Sequence, residues 1–196
     1  AGALFDYAKL CDVSKNVIST MSAQEVFQQV LAYAQEYDPE FGQALSADPS
    51  YATAIFAVGR GGKKPRKDLT TWKDAKPYMG FFYDPFFCAD APFPGEFSPG
   101  TIKTALARFW EQYDPQDDAT TWFEKIKTLA DSMGFATNMK LYKQNPDAWP
   151  GSVTDVSTFL RIALTGKTNS PDLYTVMQLL GPDRSHARIQ NAINRL

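Results

Sequence analysis

The chain has 196 residues, of which 44% are hydrophobic and 14% aromatic, enough to build the core of one large domain or two small ones. No secretion signal is visible, and no run approaches the roughly 20 apolar residues of a membrane span, so we expect a cytoplasmic protein. Two separated cysteines and one histidine cannot supply a disulfide framework or the paired ligands of structural zinc. We therefore predict reduced thiols and no metal site.

Helix-start signals recur along the first half of the chain. Ser22 to Glu25 form a capping box before apolar residues at helical spacing. Asp48-Pro49 places an N-cap before a first-turn proline, in a run that ends at Gly59. Thr71 to Asp74 is a weaker start, and Ser98-Pro99 opens a further apolar run.

The second half repeats this punctuation, with a glycine after each of three helical runs. The predicted starts are Thr121 to Glu124, Ser152 to Asp155, Ser170-Pro171 and Pro182, and the predicted stops are Gly134, Gly166 and Gly181. We count seven or eight helices and no persuasive strand pattern. The predicted fold class is therefore all-α, a helical bundle or a pair of bundles.

Two stretches interrupt the helical pattern. Residues 59–68 form a Gly-rich basic loop, and residues 84–100 hold four prolines and four phenylalanines. That proline density excludes regular helix, while so many phenylalanines exclude a freely solvated linker, so we expect an ordered loop packed on the surface. A boundary is expected between 84 and 118, and we predict two subdomains, 1–113 and 114–196.

Enzyme constellations are largely missing from the chain. The single histidine, His186, lacks convergent partners, and Asp117-Asp118 is explained by the approach to a helix N-terminus. The Arg-Gly-Gly-Lys-Lys run lacks the spacing of a phosphate-binding P-loop. We therefore predict no catalytic residue and no cofactor site.

Basic residues are concentrated in one loop and in the last third, although the formal net charge is −2. Such clusters suit phosphate contacts, yet a charge run alone is also typical of a solvated loop. Tyr142, Trp149 and Tyr174 could stack on unpaired bases, although aromatics more often fill cores. The candidate contacts are Arg60, Lys63, Lys64, Arg66, Lys67, Lys140, Lys143, Arg161, Lys167, Arg184 and Arg188.

Residues 151–196 resemble the C-terminal end of bacterial glutamyl-tRNA synthetases. The resemblance rests on Leu160 to Gly166, Ser170 to Leu173, Leu180-Gly181 and Arg188-Ile189. Toward the start, three segments resemble the part of that family that follows its second catalytic signature loop. These are Gly2 to Asp6, Lys9-Leu10 and Ser14 to Ile18.

The resemblance implies an anticodon-binding region of the class I glutamyl-tRNA synthetase type, whose intact form joins glutamate to tRNA with ATP. The family's catalytic His-x-Gly-His and Lys-Met-Ser motifs do not occur in this sequence. We therefore expect a tRNA-binding part that is not catalytic by itself. ATP and glutamate would bind a separate N-terminal catalytic domain, and the expected partners are tRNA and that domain, without DNA or a membrane.

A second hypothesis is an all-helical protein-interaction module with no role in RNA binding. The acidic balance of the chain favours it, and the aromatic loop at 84–97 could be a partner surface. Salt dependence of tRNA binding distinguishes the two, because phosphate contacts weaken log-linearly with salt.

Overall fold

The computed structural model describes residues 6–196, so most of the segment from Gly2 to Asp6 that carries part of the resemblance lies outside the described residues. Within 6–196 the chain forms ten α-helices and several short 3₁₀ turns, and the only β pairing is an isolated bridge between Ala136 and Ser152. The all-α prediction is confirmed. None of the described helices is long and apolar enough to cross a membrane.

The first compact unit spans Ala1–Phe87 and is organised around its second helix. That helix buries Val26, Val30 and Ala34, which lie four residues apart and so share one face, against the third and fourth helices. The helices of this unit are α1 (Tyr7–Thr20), α2 (Ala23–Tyr37), α3 (Pro39–Ala47), α4 (Pro49–Ala57) and α5 (Ala75–Met79).

Capping residues explain where these helices begin. Ser22 and Glu25 form the predicted capping box, and Asp48 accepts a hydrogen bond from the Tyr51 amide at 2.9 Å, one turn into α4. Asp38 repeats that Asp-Pro arrangement at the start of α3, a helix that the sequence pattern did not predict. Helix α4 has the same length and the same kind of start, so the Asp38-Pro39 pair could have predicted α3 as well.

The second compact unit spans Cys88–Leu196 and contains a four-helix core. Helices α6, α7, α9 and α10 contact one another and enclose fully buried Leu106, Phe159 and Leu160. The short helix α8 lies outside this core. The helices are α6 (Pro99–Gln112), α7 (Ala119–Ser132), α8 (Met139–Gln144), α9 (Val153–Thr165) and α10 (Leu173–Arg195).

Two predicted helix starts in this unit were wrong by two or three residues. Helix α7 is capped by Asp118, which accepts from the Thr121 amide at 2.7 Å, so Thr121 lies inside the helix. Helix α10 is capped by Asp172, not by Ser170. In both places an aspartate two or three residues from the predicted hydroxyl residue caps the helix instead, because aspartate and serine are about equally favourable caps.

Gly181 interrupts α10 in the place where the sequence predicted one helix to stop and another to begin. Its φ of 77° and ψ of 167° are not helical, and Pro182 follows at once. A residue with a side chain larger than hydrogen rarely adopts this conformation. The helical segments before and after Gly181 therefore run in different directions.

The compact units divide at 87/88, inside the predicted window, whereas we predicted subdomains meeting at 113/114. The difference arises because α6 buries Ile102, Leu106 and Phe109 among α7, α9 and α10 of the second unit. The subdivision by function at 113/114 stays a prediction.

Candidate nucleic-acid interface

Arg60 stands at the beginning of the basic loop, but its guanidinium is committed to the protein backbone. It donates to the carbonyls of Phe56 at 2.9 Å, Ile18 at 2.5 Å and Met21 at 3.3 Å. Burial lowers the pKa of this guanidinium. Arg60 therefore satisfies carbonyls at the ends of α1 and α4, which is a structural task.

Arg66 is also held within the first unit. Its guanidinium forms a two-pronged ion pair with Asp68, at 2.7 and 3.0 Å, and donates to the Tyr78 hydroxyl at 3.1 Å. The hydrogen bond to Asp68 raises the pKa of Arg66, and burial raises the pKa of Tyr78. The aliphatic stem of Arg66 lies against Gly59, where an added Cβ would come within 2.8 Å of Cγ.

The three lysines of this loop behave differently from its arginines. Lys63, Lys64 and Lys67 are exposed, and their ammonium groups have no partner among the described residues. The neighbouring Gly61 and Gly62 face open space. The loop thus presents three exposed positive charges from a base that the two arginines hold in place.

Two arginines of the second unit are likewise held by backbone carbonyls. Arg188 is only 4% exposed and donates to the Leu164 carbonyl at 2.8 Å, at the C-terminal end of α9. Arg184 donates to the Leu180 carbonyl at 2.8 Å, just before the break in α10. Lys140 and Lys143 are exposed and have no partner in the part of the chain that the structure describes.

The connection between α9 and α10 lies between two of the motifs that carry the family resemblance. Gly166 ends α9 with φ at +68°, and an added Cβ would lie 2.9 Å from the Cys88 carbonyl carbon and closer still to its oxygen. Lys167 follows and is half-buried. Arg161 donates to the Ser170 hydroxyl at 3.2 Å across this connection. The turn is therefore closely packed on one side and open on the other.

Two exposed arginines of the second unit, Arg108 and Arg195, are absent from the predicted set of contacts, and Arg195 donates to the Ala89 carbonyl at 2.9 Å. Arg108 lines a groove of about 690 Å³ together with Thr101 and Thr104, all from α6. Their spacing of three and four residues places them on one helix face, beside the buried one, and that periodicity could have identified them. The groove also contains the carboxylate of Glu96.

The three aromatic candidates fall into two different environments. Tyr174 donates its hydroxyl to the Asp117 carbonyl at 2.9 Å and packs edge-on against Trp122, with ring centres 5.9 Å apart, so it is a packing residue. Tyr142 and Trp149 pair with each other, with centres 6.3 Å apart, in a segment without buried residues.

The phenylalanines of the 84–97 loop are used mainly for packing, which weakens the case for a partner surface there. Phe86 packs on Phe41 within the first unit, and Phe97 packs on Phe135 and Phe159 within the second. Most of the large apolar side chains that remain exposed lie on one face of α1. The four on this helix are Tyr7, Leu10, Val13 and Val17.

Side chains that could ligate a metal are scattered through residues 6–196. No group of three or more His, Cys, Asp or Glu side chains in that range could hold a metal ion. His186 is exposed and stacks on Trp110, with ring centres 4.7 Å apart.

Comparisons with known proteins relate this helical architecture to translation enzymes. Residues 152–193 match the family model described as an anticodon binding domain. The chain is 43% identical over 190 residues to a glutamate–tRNA ligase from Sorangium cellulosum, covering 96% of this chain and 33% of that protein. It is 39% identical over 193 residues to one from Acetivibrio thermocellus, covering 98% and 35%.

A solved structure shows the same fold at lower identity. The crystal structure of a glutamate tRNA ligase from Elizabethkingia meningosepticum aligns with all of this chain and 34% of its own, with a TM-score of 0.61 and 22% identity. The chain thus spans about a third of the length of the relatives it matches. The resemblance expected from the sequence is confirmed: over nearly its whole length, the chain is similar to the part of glutamate–tRNA ligases that carries the anticodon binding domain.

Proposed function

We propose that this chain binds tRNA at its anticodon end, as the anticodon-binding part of a glutamate–tRNA ligase. The observation that carries the proposal is the match of residues 152–193 to an anticodon binding domain within a compact helical unit. The intact enzyme would join glutamate to tRNA with ATP in the cytoplasm. Its ATP and glutamate would bind a catalytic domain outside this chain, so the 196 residues are not catalytic by themselves.

The contribution of such a region to catalysis is orientation. A rigid helical body that grips one end of an elongated RNA restricts how the other end approaches a distant active site. Contacts within each compact unit support such rigidity there: Arg60 bonds helix-end carbonyls in the first unit, and Arg188 bonds one in the second. The same side chains are consequently poor candidates for RNA contact.

The proposed contacts are those lysines of the two basic regions, the 59–68 loop and the last third of the chain, whose ammonium groups have no partner among the described residues. A flexible ammonium on an exposed loop can neutralise a phosphate without giving up an existing bond, whereas Arg66 would first have to leave Asp68. Lys63, Lys64 and Lys67 are the primary contacts in the first unit. In the second unit the candidates are Lys140, Lys143 and Lys167.

A salt titration of binding to a glutamate tRNA transcript tests this assignment. The K63E/K64E/K67E variant should bind more weakly. The magnitude of its negative slope of log affinity against log salt should be smaller by about three. A matched control, K9E/K15E/K73E, makes the same charge change at other lysines of the first unit. Its slope should stay close to that of the parent chain.

Equal loss in both triple variants would mean that overall charge, and not the basic loop, governs binding. An unchanged slope in K63E/K64E/K67E would remove the loop from the contact surface. Failure of the parent chain to bind tRNA above a neutral-polymer background would refute the proposed function.

A further inference from the structure

Residues 137–151 form a surface loop whose two ends are joined by backbone hydrogen bonds. The Ala136 amide donates to the Gly151 carbonyl at 2.9 Å, and the Val153 amide donates to the Ala136 carbonyl at 2.8 Å. Ala136 and Gly151 are buried, and Gly151 lies so near the Phe97 ring that an added Cβ would be 2.9 Å from it. Compact loops with closed ends are often functional because a rigid base presents them.

The loop has its own internal order. The side-chain oxygen of Asn138 accepts from the amides of Lys140 at 3.0 Å and Leu141 at 3.2 Å, which starts the six-residue helix α8. A 3₁₀ turn at Pro146–Ala148 then directs the chain back toward the base. The side chains are therefore displayed by a defined backbone.

The loop exposes an apolar side chain and two lysines without partners among the described residues, which is unusual for a solvated connection. Leu141 is 50% exposed, and Lys140 and Lys143 point no ammonium at any described acceptor. Asp147 is the single acidic residue against these two lysines, so the loop carries a net charge of +1 in a chain whose net charge is −2.

Tyr142 and Trp149 supply the aromatic part of this surface. Their rings are tilted by 58° with centres 6.3 Å apart, which is too inclined for a base to slide between them. Each ring is partly exposed. The arrangement instead supports one ring against the other, leaving an outer face on which a planar group can stack.

We propose that this loop, residues 137–151, is a single-stranded RNA contact in which an unpaired tRNA base stacks on the Tyr142–Trp149 pair while Lys140 and Lys143 neutralise adjacent phosphates. Stacking platforms flanked by basic residues bind unpaired bases of any sequence, because every base has a flat face. The inference rests on the proposed function, since it names a further contact for the same RNA. The loop immediately precedes the segment that matches the anticodon binding domain.

The test uses two RNA probes with the 196-residue chain. One is a hairpin with the anticodon stem and seven-base loop of a glutamate tRNA, carrying 2-aminopurine in the loop, and the other is a blunt duplex of the same stem. Trp149→Ala should weaken hairpin binding about tenfold and reduce the fluorescence quenching of the base, with duplex binding changed less than about twofold. Trp149→Phe should restore affinity to within about threefold of the parent chain.

Control variants distinguish stacking from loss of folding. Phe123→Ala removes another exposed ring of the second unit and should leave hairpin binding unchanged. K140Q/K143Q keeps both rings and should lower the salt slope by about two with quenching retained. The K140Q/K143Q and Trp149→Phe variants carry the test if Trp149→Ala does not fold.

The outcomes separate this inference from the proposed function. Suppose that the parent chain binds full-length tRNA and that the loop variants change hairpin and duplex binding equally. This result would overturn the stacking contact but not the proposed function. Parent-chain binding to neither tRNA nor hairpin would overturn both. Unchanged quenching in Trp149→Ala would likewise exclude the aromatic pair as the platform.

Discussion

Gly166→Ala provides a sharp test of the packing at the end of α9. The residue has φ at +68°, and an added Cβ would fall 2.9 Å from the Cys88 carbonyl carbon and nearer to its oxygen. The obstruction is backbone, so no side-chain rotation can relieve it. The Gly166 carbonyl also accepts from the Ala91 amide at 3.2 Å, a bond that a displaced backbone segment would lose.

The expected loss of unfolding free energy has three parts. The left-handed conformation costs an alanine about 1 kcal/mol. Moving the Cys88 segment away from the new methyl costs about 1–3 kcal/mol, as overpacking does in cores. Loss of the Ala91 hydrogen bond adds about 1 kcal/mol. The sum is about 3–5 kcal/mol, which lowers Tm by about 6–20 °C in a chain of this length.

Gly134→Ala is the matched control for this measurement. Gly134 has φ at +75° and nothing within 4 Å of an added Cβ, so only the conformational cost applies. Its Tm should fall by about 2–4 °C. Calorimetric melting curves for both variants check the reasoning. Equal shifts in the two variants would show that the contact between Gly166 and Cys88 does not exist in solution.

Three further predictions address charge and burial. The Arg188 guanidinium is buried and bonds a carbonyl at a helix end. Arg188→Met should therefore lower the free energy of unfolding in urea by about 2–4 kcal/mol. The tRNA affinity of the folded variant should stay within about twofold of the parent chain. The hydrogen bond from Lys76 lowers the pKa of Asp38 below its ordinary 3.8. The parent chain should therefore be more stable than Asp38→Asn near neutral pH, and this advantage should vanish as pH falls through the lowered pKa. An advantage that persists in acid would refute the ion pair. Leu10→Ser should change the unfolding free energy by less than about 0.5 kcal/mol, whereas Leu106→Ala should cost about 2–5 kcal/mol, and chemical denaturation compares the two.

The contrast between lysines and arginines changes which basic residues are worth testing for RNA contact. Arg60, Arg66 and Arg188 donate to carbonyls or carboxylates of the folded chain, so replacing them would disturb the fold before any RNA contact. Lys63 and Lys64 have no such duty among the residues described. A loss of binding in lysine variants can therefore be attributed to the surface itself.

Local signals in the sequence determined the helical class and several helix ends. Capping boxes at Ser22 and Ser152, and the glycine stop at Gly166, act through bonds within about one turn, so neighbouring residues suffice to predict them. Where an aspartate competed with a nearby hydroxyl residue, as at Asp118, the predicted start shifted by a few residues. The family resemblance was likewise readable from the motifs around Leu160 and Leu180.

The partners of Arg60 and Arg188 were decided only by the tertiary structure. Arg60 bonds the carbonyl of a residue 42 positions away, and Arg188 bonds one 24 positions away. No local pattern reports which carbonyls remain open at a helix end once distant helices have packed. Burial favours the planar, many-donor guanidinium at those positions, whereas Lys63, Lys64, Lys140 and Lys143 stay in solvent, where they can meet a phosphate.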